Sequence, residues 1–161
     1  MIENLVLSAA LVVATVVVHF SGLLTLLYCL RRHGRKLQVH DSIIHQGFAI
    51  LFVMLSIFII HGVEIWLYAV VYFALGALKD FDTALYFSTS TFSSLGYGDV
   101  VLLVKWRLLG AIEAPNGLIL IAWSTAFLIS LMNRLRALEH DWLDQPKAKN
   151  QRQSNSSNFE V

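Results

Sequence analysis

Residues 91–99 read Thr-Phe-Ser-Ser-Leu-Gly-Tyr-Gly-Asp and lie between two long apolar segments. Two glycines in this stretch, Gly96 and Gly98, are separated by a single residue, and glycine adopts positive φ at little cost. The preceding residues, 82–93, are amphipathic and too few to cross a bilayer, since a spanning helix needs about 20 apolar residues. The pattern predicts a short helix that enters the membrane and returns as irregular backbone. Such backbone is tolerated at membrane depth only where it is buried in protein or lines a water-filled path.

The composition is that of a membrane protein. Of the 161 residues, 57% are hydrophobic and 14% are charged, whereas roughly a quarter of a soluble domain is charged. Three segments are long and apolar enough to span a bilayer as helices, namely residues 5–30, 43–72 and 106–135. Glu3 and the length of the first apolar run favour a retained helix over a cleaved signal peptide. The net charge of +1 indicates no nucleic-acid partner.

Basic residues in short loops predict the orientation in the membrane. Four of them follow the first segment and two more end the third: Arg31, Arg32, Arg35 and Lys36, then Arg134 and Arg136. We therefore expect this loop and the C-terminus in the cytoplasm, and the N-terminus outside, in a plasma (inner) membrane. Residues 137–161 are polar and low in aromatics, which predicts a disordered tail.

Residues 94–99, Ser-Leu-Gly-Tyr-Gly-Asp, resemble the selectivity filter of the potassium channel pore-domain family, whose common form is Thr-Val-Gly-Tyr-Gly-Asp. The resemblance covers about residues 45–136. It implies a filter formed by Ser94, Leu95, Gly96, Tyr97 and Gly98, in which backbone oxygens replace the water around K⁺. The hydroxyl of Ser94 would add the innermost ring of oxygens. The resemblance also implies that Tyr97 braces the filter against the pore helix and that Asp99 lies at the outer mouth. For successive carbonyls to face one axis, the backbone must alternate between right- and left-handed regions, which Gly96 and Gly98 permit.

The filter departs from the common form at two positions. Ser94 replaces threonine, which keeps the hydroxyl and loses the methyl that stiffens χ1. Leu95 replaces valine, and only its backbone oxygen is expected to face the ion. These changes keep a weakly selective cation pore open as an alternative. Ser90 stands where some relatives carry an acid that bonds the filter aspartate, so that brace is predicted to be missing.

The third apolar segment resembles the inner, pore-lining helix, with Trp106 at its start. Pro115 and Gly117 lie near its middle, and proline kinks a helix by removing a backbone hydrogen bond. We predict that these two residues form a gating hinge. The alternative is that the span begins only at Pro115, as the first helical residue, with residues 106–114 as an interfacial segment.

Several ionisable residues lie within the predicted spans. Intramembrane acids are functional candidates by default, so Glu64 and Glu113 are candidates for tuning the filter. A structural role is the alternative, because His61 and Glu64 lie three apart on one helix face and can satisfy each other. His19 is alone in the first segment and is predicted to be a packing or interfacial histidine. No set of Cys, His and acids has transition-metal spacing, and no Ser/His/Asp set indicates hydrolysis.

Together these patterns predict an all-α membrane protein with three transmembrane helices, a re-entrant pore helix and a filter loop, assembling as a tetrameric pore. The predicted parts are an additional N-terminal helix with its basic loop (1–42), a pore domain (43–136) and the tail (137–161). Within the pore domain we predict an outer helix (43–72), a pore helix (82–93), the filter (94–99) and an inner helix (about 106–135). The resemblance implies a homotetramer that conducts K⁺ passively across the lipid bilayer, with no cofactor and no enzymatic activity. The alternatives are a weakly selective cation channel and a non-conducting pore-fold subunit that acts as a membrane adaptor.

Overall fold

The computed structural model describes the backbone of residues 2–34 and 43–157, and the side chains of residues 2–32 and 47–133. It contains four α-helices, α1 (Ile2–Gly34), α2 (Ile43–Ala74), α3 (Phe81–Phe92) and α4 (Arg107–Ser157), and a short 3₁₀ turn (Val104–Trp106) before α4. The predicted basic loop lies partly outside the described residues, from 35 to 42.

Three of the helices contain segments that are long and apolar enough to cross a membrane: Ile2–Arg32, Gly47–Ala74 and Val104–Asn133. The helix α3 has only 12 residues, about 18 Å at 1.5 Å per residue, which is too short to span the hydrocarbon core. The predicted all-α class with three spans and a short helix before the glycine-rich stretch is therefore confirmed.

The chain divides into two compact units, Met1–Thr125 and Ala126–Val161. The second unit differs from the sequence prediction, because α4 continues to Ser157 where a disordered tail was expected from residue 137. Residues 137–139 are Ala-Leu-Glu, all strong helix formers, and extending an existing helix avoids the cost of a new nucleus. Residues 158–161 lie outside the described part of the chain.

The connection from α2 to α3 has well-defined caps at both ends. Gly76 adopts φ 61, and the N–H of Ala77 bonds to the carbonyl of Tyr72 at 2.9 Å, which closes the C-terminus of α2. Asp80 caps α3 by accepting a 2.8 Å hydrogen bond from the N–H of Thr83. This bond lowers the pKa of the Asp80 carboxyl and fixes the start of α3.

One face of α1 is polar and buried. Its residues recur at helical spacing along that face: Asn4, Ser8, Thr15 and His19. Ser8 and Thr15 donate to carbonyls one turn earlier in α1. Asn4 bonds to the carbonyl of Lys105, and His19 bonds to Glu64. Polar groups in a membrane helix turn toward protein because lipid offers no hydrogen bonds. The polar face of α1 therefore packs against the rest of the first unit.

Candidate functional site

The glycine-rich stretch after α3 has an alternating backbone. Ser94, Gly96 and Gly98 have φ values of 59°, 56° and 77°, and Ser94 is the one non-glycine residue with positive φ in the described chain. The intervening Leu95 and Tyr97 keep negative φ. The alternation that the sequence predicted at the two glycines is present and extends back to Ser94. A non-glycine residue at positive φ is uncommon, and Ser94 adopts it with φ 59°.

Hydrogen bonds from backbone N–H groups tie the stretch to the end of α3. The N–H groups of Leu95 and Gly96 both bond to the carbonyl of Ser90, at 2.9 and 3.0 Å, and that of Ser94 bonds to the carbonyl of Thr91 at 2.9 Å. Within the described chain, the carbonyls of residues 94–98 accept no hydrogen bond. Three N–H donors of this segment thus hold it in place, and its carbonyl oxygens are free for a cation.

The position of α3 adds to this preference for a cation. The segment follows directly from the C-terminal end of the helix, where the unpaired carbonyls carry the negative end of the helix dipole. The hydroxyl of Ser94 donates to the carbonyl of Ala114 at 3.3 Å, which also connects the segment to α4. The arrangement concentrates oxygen atoms and partial negative charge around one short stretch of backbone.

Asp99 ends the stretch and is held by α3. The hydroxyl of Tyr86 donates to its carboxylate at 2.8 Å, and this bond raises the pKa of Tyr86. The hydroxyl of Ser90 instead bonds to the carbonyl of Phe87 within the helix, in agreement with the prediction that Ser90 provides no brace. Sequence reasoning missed the role of Tyr86, which lies in the middle of α3, 13 residues before Asp99.

Tyr86→Phe is expected to lower sustained ion flux through the reconstituted protein, on the order of a few-fold, because Asp99 loses its donor while the helix keeps its apolar packing. The measurement is flux from liposomes, with the melting temperature recorded in parallel. Because the pKa of Tyr86 is raised, the bond is intact below the ordinary tyrosine pKa of about 10 and is lost only at more alkaline pH.

The matched control is Tyr28→Phe, which removes the same atom from an exposed tyrosine of α1 that makes no hydrogen bond within the described residues. Equal flux from both variants would show that the hydroxyl of Tyr86 does not support Asp99.

Glu113 lies behind α3 and is fully buried. The hydroxyls of Ser88 on α3 and Tyr72 on α2 each donate to one of its carboxylate oxygens, both at 2.6 Å. The sequence singled out Glu113 but not these two partners, which are 25 and 41 residues away along the chain. The carboxylate joins α2, α3 and α4 through these two bonds.

The predicted hinge region lies inside a continuous helix. Because α4 starts at Arg107, the alternative in which the span begins at Pro115 is wrong. The side-chain amide of Asn116 donates to the hydroxyls of Thr15 at 2.8 Å and Tyr68 at 3.2 Å. A Cβ on Gly117 would lie 2.1 Å from the carbonyl oxygen of Phe92, so this glycine allows α4 to touch the end of α3. Hinge motion at Pro115 and Gly117 stays a prediction.

Glu64 is fully buried and has two histidine partners. Nδ1 of His61 lies 2.8 Å from one carboxylate oxygen, and Nδ1 of His19 lies 2.9 Å from the other. The prediction that His19 is a lone packing histidine is therefore wrong. Sequence spacing could not reveal this contact because α1 and α2 bring together residues 45 apart. No hydrogen bond joins Glu64 to α3 within the described residues.

Tyr97 does not make its predicted brace within a single chain. Its side chain is 68% exposed and forms no hydrogen bond in the described part of the molecule. Leu95, which is 58% exposed, is likewise uncovered. A single chain therefore leaves more than half of each of these two bulky residues exposed.

A short helix between two candidate membrane spans, followed by a segment with free carbonyls, is the arrangement expected of an ion-channel pore domain. The sequence profile of the ion channel family matches residues 50–134, more than half of the chain. The chain belongs to this family, in its two-helix potassium-channel type. No curated protein and no solved structure matches the chain at a significant level. The matched region includes most of α2, all of α3 and the glycine-rich stretch, and leaves α1 outside.

Proposed function

We propose that the protein is a potassium-selective channel that conducts K⁺ passively as a homotetramer. The observation that carries this proposal is the alternating backbone at Ser94, Gly96 and Gly98. The N–H groups of residues 94–96 are bonded to α3, and the carbonyls of residues 94–98 are free. A dehydrated K⁺ ion needs about eight oxygens in place of its water shell. Alternation of backbone handedness is the conformation that lets consecutive carbonyls face one axis.

Fourfold assembly is proposed because one chain supplies too few carbonyl oxygens to surround an ion. A single strand supplies a single column of oxygens, whereas a closed ring of four chains supplies four at every level. The exposure of Leu95 and Tyr97 in one chain is accounted for if neighbouring subunits cover them. In the assembled pore Tyr97 then supports the filter from the side, Asp99 lies at the outer mouth, and ions advance between adjacent sites by mutual repulsion.

The buried carboxylate of Glu113 has a supporting role in this proposal. Its bonds to Ser88 and Tyr72 hold α3 against the two helices that flank it, and α3 in turn holds the filter amides. Within the described residues, Glu64 hydrogen-bonds to His19 and His61 alone, so its role is to join α1 to α2. The subunit resides in the plasma (inner) membrane with its N-terminus outside and its C-terminus in the cytoplasm.

Liposomes containing the purified full-length protein test the proposal directly. We expect K⁺ efflux at a rate well above that of protein-free liposomes, and Na⁺ efflux at least tenfold slower, on the order of the discrimination that 1.4 kcal/mol provides. The oligomeric state is measured on the same preparation by light scattering with a detergent correction.

Three results contradict the proposal in different ways. Equal K⁺ and Na⁺ efflux would identify a weakly selective cation channel. A tetramer that passes neither ion under varied pH, lipid and tension would indicate a non-conducting adaptor subunit. A monomer that conducts would remove the argument from fourfold assembly.

A further inference from the structure

Three ligand-type side chains meet at the interface of α1 and α2. His19 and Glu64 are fully buried, and the side chain of His61 is 13% exposed. One potential ligand atom from each residue can be chosen so that all lie within 4.8 Å of one another. Both carboxylate oxygens of Glu64 are used, one by each histidine. The three groups therefore converge on one point within the first unit.

The separations fit the dimensions of a transition-metal site. Ligand atoms about 2.0–2.1 Å from a tetrahedral zinc ion lie about 3.3–3.4 Å from one another. The present contacts, 2.9 and 2.8 Å from the histidine Nδ1 atoms to Glu64, need to open by about half an ångström to admit the ion.

The surroundings of the second ring nitrogen of each histidine also favour a metal site. Ligating histidines usually donate their other ring N–H to a nearby acceptor, and Nε2 of His19 lies 3.5 Å from the hydroxyl of Ser124 on α4. Nε2 of His61 is buried and has no hydrogen-bond partner among the described residues, an arrangement that is costly for a polar atom. A flip of the His61 ring would turn Nε2 toward Glu64, where a metal ion could coordinate it, in exchange for the present Nδ1 contact.

We propose that His19, His61 and Glu64 bind a divalent transition-metal ion of the zinc type, which joins α1 to the pore domain. Two imidazoles and a carboxylate suit Zn²⁺ or Co²⁺ and do not suit Mg²⁺ or Ca²⁺, which prefer oxygen ligands. The fourth position is taken by water, from the partly exposed side of His61. The occupant that competes with the metal is a proton shared between the carboxylate and an imidazole.

The location gives the site a structural consequence. The ring of His61 lies 5.8 Å from that of Phe92, the last residue of α3, and the ring of His19 lies 5.4 Å from that of Trp123 on α4. A bound ion therefore fixes α1 beside both the end of the pore helix and the inner helix. This inference stands independently of whether the protein conducts K⁺, because binding is measured without any flux.

The test uses the full-length protein without an affinity tag, purified in detergent and dialysed against Zn²⁺ or Co²⁺ alone. We expect the wild type to retain a single ion per chain, measured by elemental analysis, and its melting temperature to rise with metal. His19→Gln and His61→Gln are expected to weaken binding at least tenfold, on the order of the loss seen when metal sites lose a supporting group. His140→Gln, which removes a histidine other than the two proposed ligands, is the matched control and is expected to bind as the wild type does.

Cobalt absorption keeps the test decisive if a variant fails to fold. Co²⁺ in a four-coordinate nitrogen and oxygen site absorbs much more strongly in the visible than octahedral aqueous Co²⁺, so the wild type alone reports the site. An intense visible band that Zn²⁺ abolishes supports the proposal. A wild-type spectrum like that of aqueous Co²⁺, or binding that both cluster variants retain, overturns it and leaves the proton as the occupant.

Discussion

Gly96→Ala is expected to abolish K⁺ efflux from liposomes, with a loss of at least roughly tenfold. Gly96 adopts φ 56, and a left-handed conformation costs an L-residue with a Cβ about 1–2 kcal/mol. In a tetramer the cost acts at four positions, so the filter backbone shifts and its carbonyls leave the pore axis. Within one chain no atom lies within 4 Å of the added Cβ, so the effect comes from backbone conformation.

The matched control for this variant is Gly76→Ala. Gly76 also has positive φ, 61°, and its added Cβ also meets no atom within 4 Å, but it lies in the connection between α2 and α3. We expect a comparable loss of stability and little change in efflux. If Gly96→Ala conducts as well as Gly76→Ala, the stretch at residues 94–98 is not the conduction pathway.

Gly117→Ala is expected to destabilise the protein by about 1–3 kcal/mol per chain, the usual cost of overpacking, and to disrupt the pore. The added Cβ would lie 2.1 Å from the carbonyl oxygen of Phe92 and 2.8 Å from its carbonyl carbon. These are backbone atoms at the end of the pore helix, so they cannot rotate away as a flexible side chain would. The two helices α4 and α3 must therefore separate. Any shift of α3 also displaces residues 94–96, whose N–H groups are bonded to it. Chemical unfolding and the fraction of assembled protein measure the effect.

Gly62→Ala provides the control for helix propensity. Gly62 lies in the interior of α2, and a Cβ there meets nothing within 4 Å. Alanine is favoured over glycine in a helix interior by about 1 kcal/mol, so this variant should gain stability while Gly117→Ala loses it. A gain at both positions would show that α4 and α3 are not in close contact, and would leave hinge flexibility as the explanation for Gly117.

The sequence predicted the features that depend on local pattern. Length and apolarity defined the three spans, because a helix must satisfy its own backbone in lipid and must be about 20 residues long. The spacing of Gly96 and Gly98 predicted the alternating backbone, because positive φ is a property of the single residue. Trp106 was placed at the start of the inner helix, and the 3₁₀ turn that it ends lies directly before α4.

Local sequence pattern gave the wrong prediction where a segment could either extend a helix or stay disordered. The polar composition of residues 137–161 predicted disorder, yet α4 continues to Ser157. Composition measures how much apolar surface a segment can bury, but it does not include the gain from extending a helix that already exists. Sequence pattern also left two possible starts for the inner helix, near Trp106 or at Pro115. Because α4 begins at Arg107 and continues through Pro115, the start near Trp106 is the correct one.

What the sequence by itself determined is the membrane character, the spans, the short helix α3 and the glycine-based alternation of residues 94–98. The tertiary structure alone decided which side chains meet: Tyr86 with Asp99, Glu113 with Ser88 and Tyr72, and Glu64 with both His19 and His61. The physical reason is that backbone conformation and span length depend on neighbours along the chain. A hydrogen bond between helices depends on their rotation and depth, which packing of the whole molecule sets.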